Sequence, residues 1–170
     1  LPATPSGEPD WKYMEDFMGG LHSEPLKTSV KSSHIPLETE KWGEFRVGDL
    51  FDVERGTRLV SDEREDGNIP LVTAGENNEG VSDIIHPTIN KVYENKIGID
   101  MFGNAFYHSG KFACDDNILV LLEKMPISDC AKLFVSVVLS KDKYRYSYGR
   151  QYRQKNYTTH IIRLPQTPHG

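Results

Sequence analysis

The chain has 170 residues, 37% of them hydrophobic and 26% charged, enough for one well-cored domain with a short appendage. Its formal charge of −5 excludes a uniformly basic surface, no apolar run reaches the ~20 residues that would span a bilayer, and the N-terminus lacks the basic-then-apolar pattern of a signal peptide. A soluble, cytoplasmic protein without membrane contact is expected.

The chain opens on LPATPSG and closes on LPQTPHG, two heptapeptides that agree at Leu, Pro, Thr, Pro and Gly. Matching ends are what one unit of a tandem repeat would show, so residues 1–7 read as the end of a preceding repeat. In PDWKYMEDFMGGL, Pro9 suits a first helical turn, and Asp10, Glu15 and Asp16 place negative charge toward the N-terminal end. Trp11, Met14, Phe17, Met18 and Leu21 then predict a short one-sided helix with a narrow apolar stripe for packing on something else, so that 1–21 reads as the end of a preceding repeat and a connecting helix. Residues 22–41 show no periodicity and read as a linker or arm.

The domain is expected to span 42–165, with 166–170 starting the next connector. WGEFRVGDLFDVERGTR combines a turn or helix start at Gly48–Phe51 with the alternation Phe51, Val53, Arg55 of a strand. IPLVTA (69–74), KIGIDM (96–101), AFYHSG (105–110) and NILVLLE (117–123) read as strands, and the last, apolar throughout, as a buried central one. TAGENNEGVSD reads as a loop. FGNAFYHSGKFACDD reads as a hairpin with glycines at its turns. The one long helix is expected in ISDCAKLFVSVVLSKDKY, capped by Ser128 or Asp129, with Ala131, Phe134, Val135, Val138 and Leu139 on its inner face. A last short strand lies at 159–163. The fold class is therefore α+β: a mixed, mostly antiparallel sheet or partial barrel with a few helices.

Three stretches carry chemistry. KDKYRYSYGRQYRQK places Lys141, Lys143, Arg145, Arg150, Arg153 and Lys155 against the single acid Asp142, interleaved with Tyr144, Tyr146, Tyr148 and Tyr152. Cations neutralise phosphates, and tyrosines bond them or lie against sugar and base, so this run is a candidate DNA phosphate surface with Tyr148 a candidate base contact. A solvated helix end explains Lys141 and Lys143 equally well, but not the cations further on. Asn77 and Asn78 in the first loop, and Asn104 and His108 in the hairpin, are candidate readers of base edges, set against plain loop and turn roles.

Catalysis finds less support. GxxxxGK(S/T), HExxH and GxSxG do not occur, nor does the Asn-Pro-Pro-aromatic motif of an adenine methyltransferase. Glu94-Asn95-Lys96 with Asp83 or Asp100 is the nearest approach to a metal-dependent nuclease, and such a triplet is expected by chance. The two cysteines, Cys114 and Cys130, form no CxxC pair and read as buried free thiols. No catalytic residue, metal or cofactor is expected.

Taken in order, WGEFRVGDLFDVERGTR, IPLVTAGENNEGV, GNAFYHSGKFACDDNILVLL, KYRYSYGRQYRQKNY and IIRLP resemble the specificity subunits of type I restriction-modification systems, over most of 42–165. The resemblance implies a non-catalytic target-recognition domain that reads one half of a bipartite double-stranded DNA sequence and holds DNA methyltransferase (modification) subunits over it. It also implies a second recognition domain, in the same chain or through a homodimer, met by the Trp11–Leu21 stripe. Members often carry a long spacer helix after each domain, whereas the leading helical stretch here is short. A protein-interaction module without sequence readout is the alternative.

Overall fold

Short runs rich in β-branched and aromatic residues punctuate residues 42–123, and in the computed structural model, which describes residues 38–165, these runs form the strands. After a single 3₁₀ turn at Thr39–Lys41, β1 (Trp42–Arg46) runs into a four-residue helix, α1 (Val47–Leu50), and then β2 (Phe51–Arg55). There follow β3 (Asp66–Val72), β4 (Val81–Ile85), β5 (Val92–Asp100), β6 (Ala105–Cys114) and β7 (Ile118–Glu123). Helix α2 (Asp129–Ser140), the one-turn α3 (Gln154–Tyr157) and β8 (Ile161–Pro165) complete the described residues.

Two sheets result. β1 and β8 pair antiparallel from Trp42 opposite Pro165 to Arg46 opposite Ile161. The other sheet has the order β2-β7-β5-β6-β3-β4 and is antiparallel except where β3 meets β6, with Leu71 beside Ala113 and Val72 beside Cys114. The sheet does not close, so of the two expected forms the mixed, mostly antiparallel α+β sheet is the one adopted.

The apolar run of β7 is explained by its two covered faces. Leu119 and Leu121 join Val47, Phe51, Ile97, Ile99 and Ile162 on one side, where Val135 and Leu139 of α2 pack down. Ile118 and Val120 join Val72, Tyr93 and Phe112 on the other. Ser128 caps α2, its hydroxyl accepting from the Ala131 N–H at 3.2 Å. The helix stops at Ser140, and the sequence expected within its last turn forms a separate 3₁₀ turn at Lys143–Arg145.

Several expectations are corrected. β4 occupies the end of the stretch read as a loop, and β6 runs on through Gly110 to Cys114. Gly110, at φ 79°, sits in a bulge rather than a turn, opposite Asn95 at φ 53°, whose Oδ1 accepts the Gly110 N–H at 2.8 Å. The hairpin turn is Met101–Asn104, between β5 and β6. Cys114 is buried, and burial pushes its thiol up to about 12, but Cys130 is exposed at the start of α2. The expected connecting helix, the arm up to Leu37 and residues 166–170 lie outside the described residues.

Candidate nucleic-acid interface

The basic run does not form a helix, because its tyrosines are drawn in opposite directions. Tyr146 and Tyr152 pack edge-on with ring centroids 5.0 Å apart, and Tyr152 is buried among the apolar side chains beneath α2. Its hydroxyl lies 3.3 Å from His160 Nδ1, and His160 Nε2 lies 2.9 Å from Asp142 Oδ2, so the two ends of the run are tied together inside the protein. Burial pushes the Tyr152 hydroxyl well above the usual phenol range, so it stays protonated.

Between those anchors, Ser147 and Arg150 exchange backbone hydrogen bonds of 3.1 and 2.9 Å, which closes a tight turn with Tyr148 and Gly149 at its tip. Tyr148 is 82% exposed and Tyr144 79% exposed. Lys141, Lys143, Arg145, Arg150 and Lys155 are exposed, and Arg153 is half-buried. Two of these cations are partly neutralised: Lys143 meets Glu76 at 2.8 Å and Arg145 meets Asp142 at 3.2 Å. Lys141, Arg150 and Lys155 have no carboxylate partner among the described residues. The positive potential of the run is therefore carried mostly by Arg150 and its flanking lysines.

Two further segments meet this turn. The loop from Gly75 to Gly80 is closed at its base by Thr73 N–H to Gly80 O at 2.8 Å. Asn78 and Glu79 take left-handed φ values of 48° and 55°, which lift Asn77 and Asn78 into solvent. The Met101–Asn104 turn approaches so closely that a Cβ on Gly103 would fall 2.6 Å from Tyr146 Cδ2 and 3.1 Å from Lys143 Cα. Tyr152 N–H reaches Met101 O at 2.8 Å, and Phe102 packs edge-on against Tyr148 at 5.0 Å. The three segments surround a groove of about 470 Å³ lined by Glu76, Phe102, Lys143, Tyr144, Tyr146 and Tyr148 among others. An acidic side chain, a lysine, an asparagine and exposed rings thus share one concave surface.

The expected readers are not all brought to it. Asn77, Asn78 and Tyr148 are at the surface, but Asn104 and His108 are interior, at 4% and 6% exposure. Asn104 donates its Nδ2 to Asp100 Oδ2 at 2.9 Å, fixing the turn. His108 lies over Gly98 of β5, its ring 4.6 Å from that of Phe112, and burial lowers its pKa to about 4, so it is neutral at physiological pH. His108 is therefore corrected from a reader to a structural residue, whereas Asn104, though buried and bonded to Asp100, still forms part of the lining of the groove. Arg153 and Lys155 separate from the rest, lining a second groove of about 280 Å³ with Arg55, Asp116 and Asn117. Arg153 also spends its backbone N–H on Asn156 Oδ1 at 2.7 Å, which starts α3.

Sequence reasoning passed over Phe102, Glu76 and the organising role of Asp100. Asp100-Met-Phe-Gly-Asn104 carries a turn signal, an Asp ahead of Gly-Asn, that could have identified the last. The nuclease triplet does not assemble. Asp100 accepts four N–H groups, Lys96 is paired with Glu123, and Asp83 pairs with Arg64 at 3.4 Å.

Comparisons with known proteins converge. Residues 39–165 match the family model described as a type I restriction modification DNA specificity domain. The S.BcgI specificity subunit of a type II restriction enzyme from Heyndrickxia coagulans is 28% identical over 173 residues, covering 96% of this chain and 51% of that protein. Among solved structures, the S subunit of a type I restriction-modification system from M. genitalium aligns with a TM-score of 0.58 at 16% identity, over 72% of this chain and 34% of that one. The HsdS subunit from Thermoanaerobacter tengcongensis aligns with a TM-score of 0.55 at 14% identity, over 81% and 36%. The chain thus spans about half the length of its curated relative and about a third of each solved neighbour.

Proposed function

Since the chain belongs to the type I restriction-modification DNA specificity family, whose members are non-catalytic specificity components, we propose that it reads one half of a bipartite double-stranded DNA target. In doing so it positions DNA methyltransferase subunits over that target. The observation that carries this reading is the convergence of the Gly75–Gly80 loop, the Met101–Asn104 turn and the basic turn at one groove, in a chain whose remaining charge is acidic. Lys143 in that groove, and the exposed Lys141, Arg145 and Arg150 of the same run, anchor phosphates, with Arg153 and Lys155 extending the contact along the flank. Asn77, Asn78 and Tyr148 face base edges.

In this reading the second half-site is met by another recognition domain, in the same chain or a second copy, with the Trp11, Met14, Phe17, Met18 and Leu21 stripe as the contact. The complex works in the cytoplasm on DNA. No described helix is long and apolar enough to cross a membrane.

The phosphate assignment has a direct test. If about five phosphates are neutralised, affinity for generic duplex falls roughly 500-fold between 50 and 200 mM salt, at a slope of about −0.9 per phosphate. Binding that does not weaken with salt would refute it.

A further inference from the structure

Asp100 ends β5 at the foot of both surface loops, and its carboxylate is fully occupied. Oδ1 accepts the backbone N–H groups of Phe102 and Asn104 at 2.8 and 2.9 Å. Oδ2 accepts Asn104 Nδ2 at 2.9 Å and, from a different loop, the Gly75 N–H at 3.0 Å. The residue is 3% exposed and forms no ion pair among the described residues, so its charge is met by N–H dipoles alone.

Such an interior carboxylate is costly unless saturated in this way, and holding a four-residue turn does not require one, since an Asn or Ser side chain serves. What the second oxygen adds is a tie between loops. Through Gly75 it fixes the start of the loop that bears Asn77 and Asn78, and through Phe102 it fixes the ring against which Tyr148 stands.

We infer that Asp100 is a specificity-positioning residue: without touching DNA, it sets the separation of Asn77–Asn78 from the Phe102–Tyr148 pair, so that both meet the base pairs in one register. This rests on the base-reading assignment above. Base readout needs groups held to within about half an ångström, whereas phosphate attraction tolerates looser placement. Loosening the tie therefore removes discrimination before it removes generic affinity.

The test is Asp100→Asn in the full chain. The amide retains one carbonyl oxygen for the turn but turns its NH₂ toward the Gly75 N–H and Asn104 Nδ2, donor against donor. Wild type and variant are titrated with a duplex enriched by the wild type from a random pool and with a scrambled duplex, alongside hydrogen exchange of the Gly75 amide. The expected result is faster Gly75 exchange, scrambled-duplex affinity and salt slope within about twofold of wild type, and a preference for the enriched duplex about tenfold smaller, one base pair's worth of readout.

Unchanged preference despite faster Gly75 exchange would overturn the inference, and so would an equal loss on both duplexes, the mark of a merely structural role. A wild type that enriches nothing overturns the base-reading assignment itself, and shows this without any variant. If Asp100→Asn does not fold, Asp100→Ser, which keeps one oxygen for the turn and removes the second, is judged by the same two outcomes.

Discussion

Replacing Gly103 with alanine tests how tightly the basic turn is seated. The added methyl group would lie 2.6 Å from Tyr146 Cδ2 and 3.1 Å from the Lys143 backbone, both well inside contact distance. The Lys143 contact is to main chain and cannot be relieved by a rotamer change. Gly103 also sits at φ 82°, where a side chain costs about 1 kcal/mol. Overpacking of this kind costs about 2 kcal/mol more. Together these lower stability by about 3 kcal/mol, roughly 10 °C in Tm for a domain of this size. Thermal unfolding of Gly103→Ala, monitored with denaturant melts to check the slope, measures it directly. A loss under about 1 kcal/mol would mean the Lys143–Tyr146 segment yields freely, and the close seating of the basic turn on the β5–β6 turn would be refuted.

Arg150→Ala should weaken all duplexes alike and shallow the salt slope by about 0.9, one phosphate's worth, in a titration across salt concentrations. Glu76→Gln should do the reverse, tightening generic binding, because it frees Lys143 from its 2.8 Å partner and removes a negative charge from the groove; weaker binding would argue against DNA entering there. Asn78→Gly keeps the left-handed backbone at φ 48° while deleting the side chain, so a changed enriched sequence with stability within ~1 kcal/mol of wild type is expected. The pH dependence follows from His108. Its folded pKa of about 4 lies below the unfolded value near 6.5, so the unfolded state binds the proton first and stability falls as pH drops from about 6.5 to 4. Between pH 7.5 and 5 this amounts to about 2 kcal/mol, and denaturant melts of His108→Gln should show that part of the decline removed.

Much of this architecture could be read from local signals. Ser128 immediately ahead of a helical run fixes the start of α2, and the unbroken apolar run of NILVLL identifies a strand covered on both faces. What escaped depends on partners far away in the chain. Val81–Ile85 is a strand because β3 lies beside it, though the Asn-Asn-Glu-Gly ahead of it reads as loop. His108 on β6 is buried, whereas a histidine between tyrosine and serine looks solvent-facing in sequence. The six cations of the basic run look continuous, yet Tyr152, held in the core beside His160, sets Arg153 and Lys155 in one groove apart from Lys143 in the other. Asp100 shows no special feature in sequence beyond its turn, because the one of its four hydrogen bonds that leaves the turn is accepted from Gly75, on another loop.

The central claim is that this surface reads DNA sequence, and selection from a random duplex pool, with and without a modification subunit, tests it most directly. The account predicts enrichment of one short motif, strengthened by the subunit and lost with Asn77→Ala and Asn78→Gly combined. Retention of duplex without any enriched motif, even with the subunit bound, would contradict it and leave only a basic surface that holds DNA of any sequence.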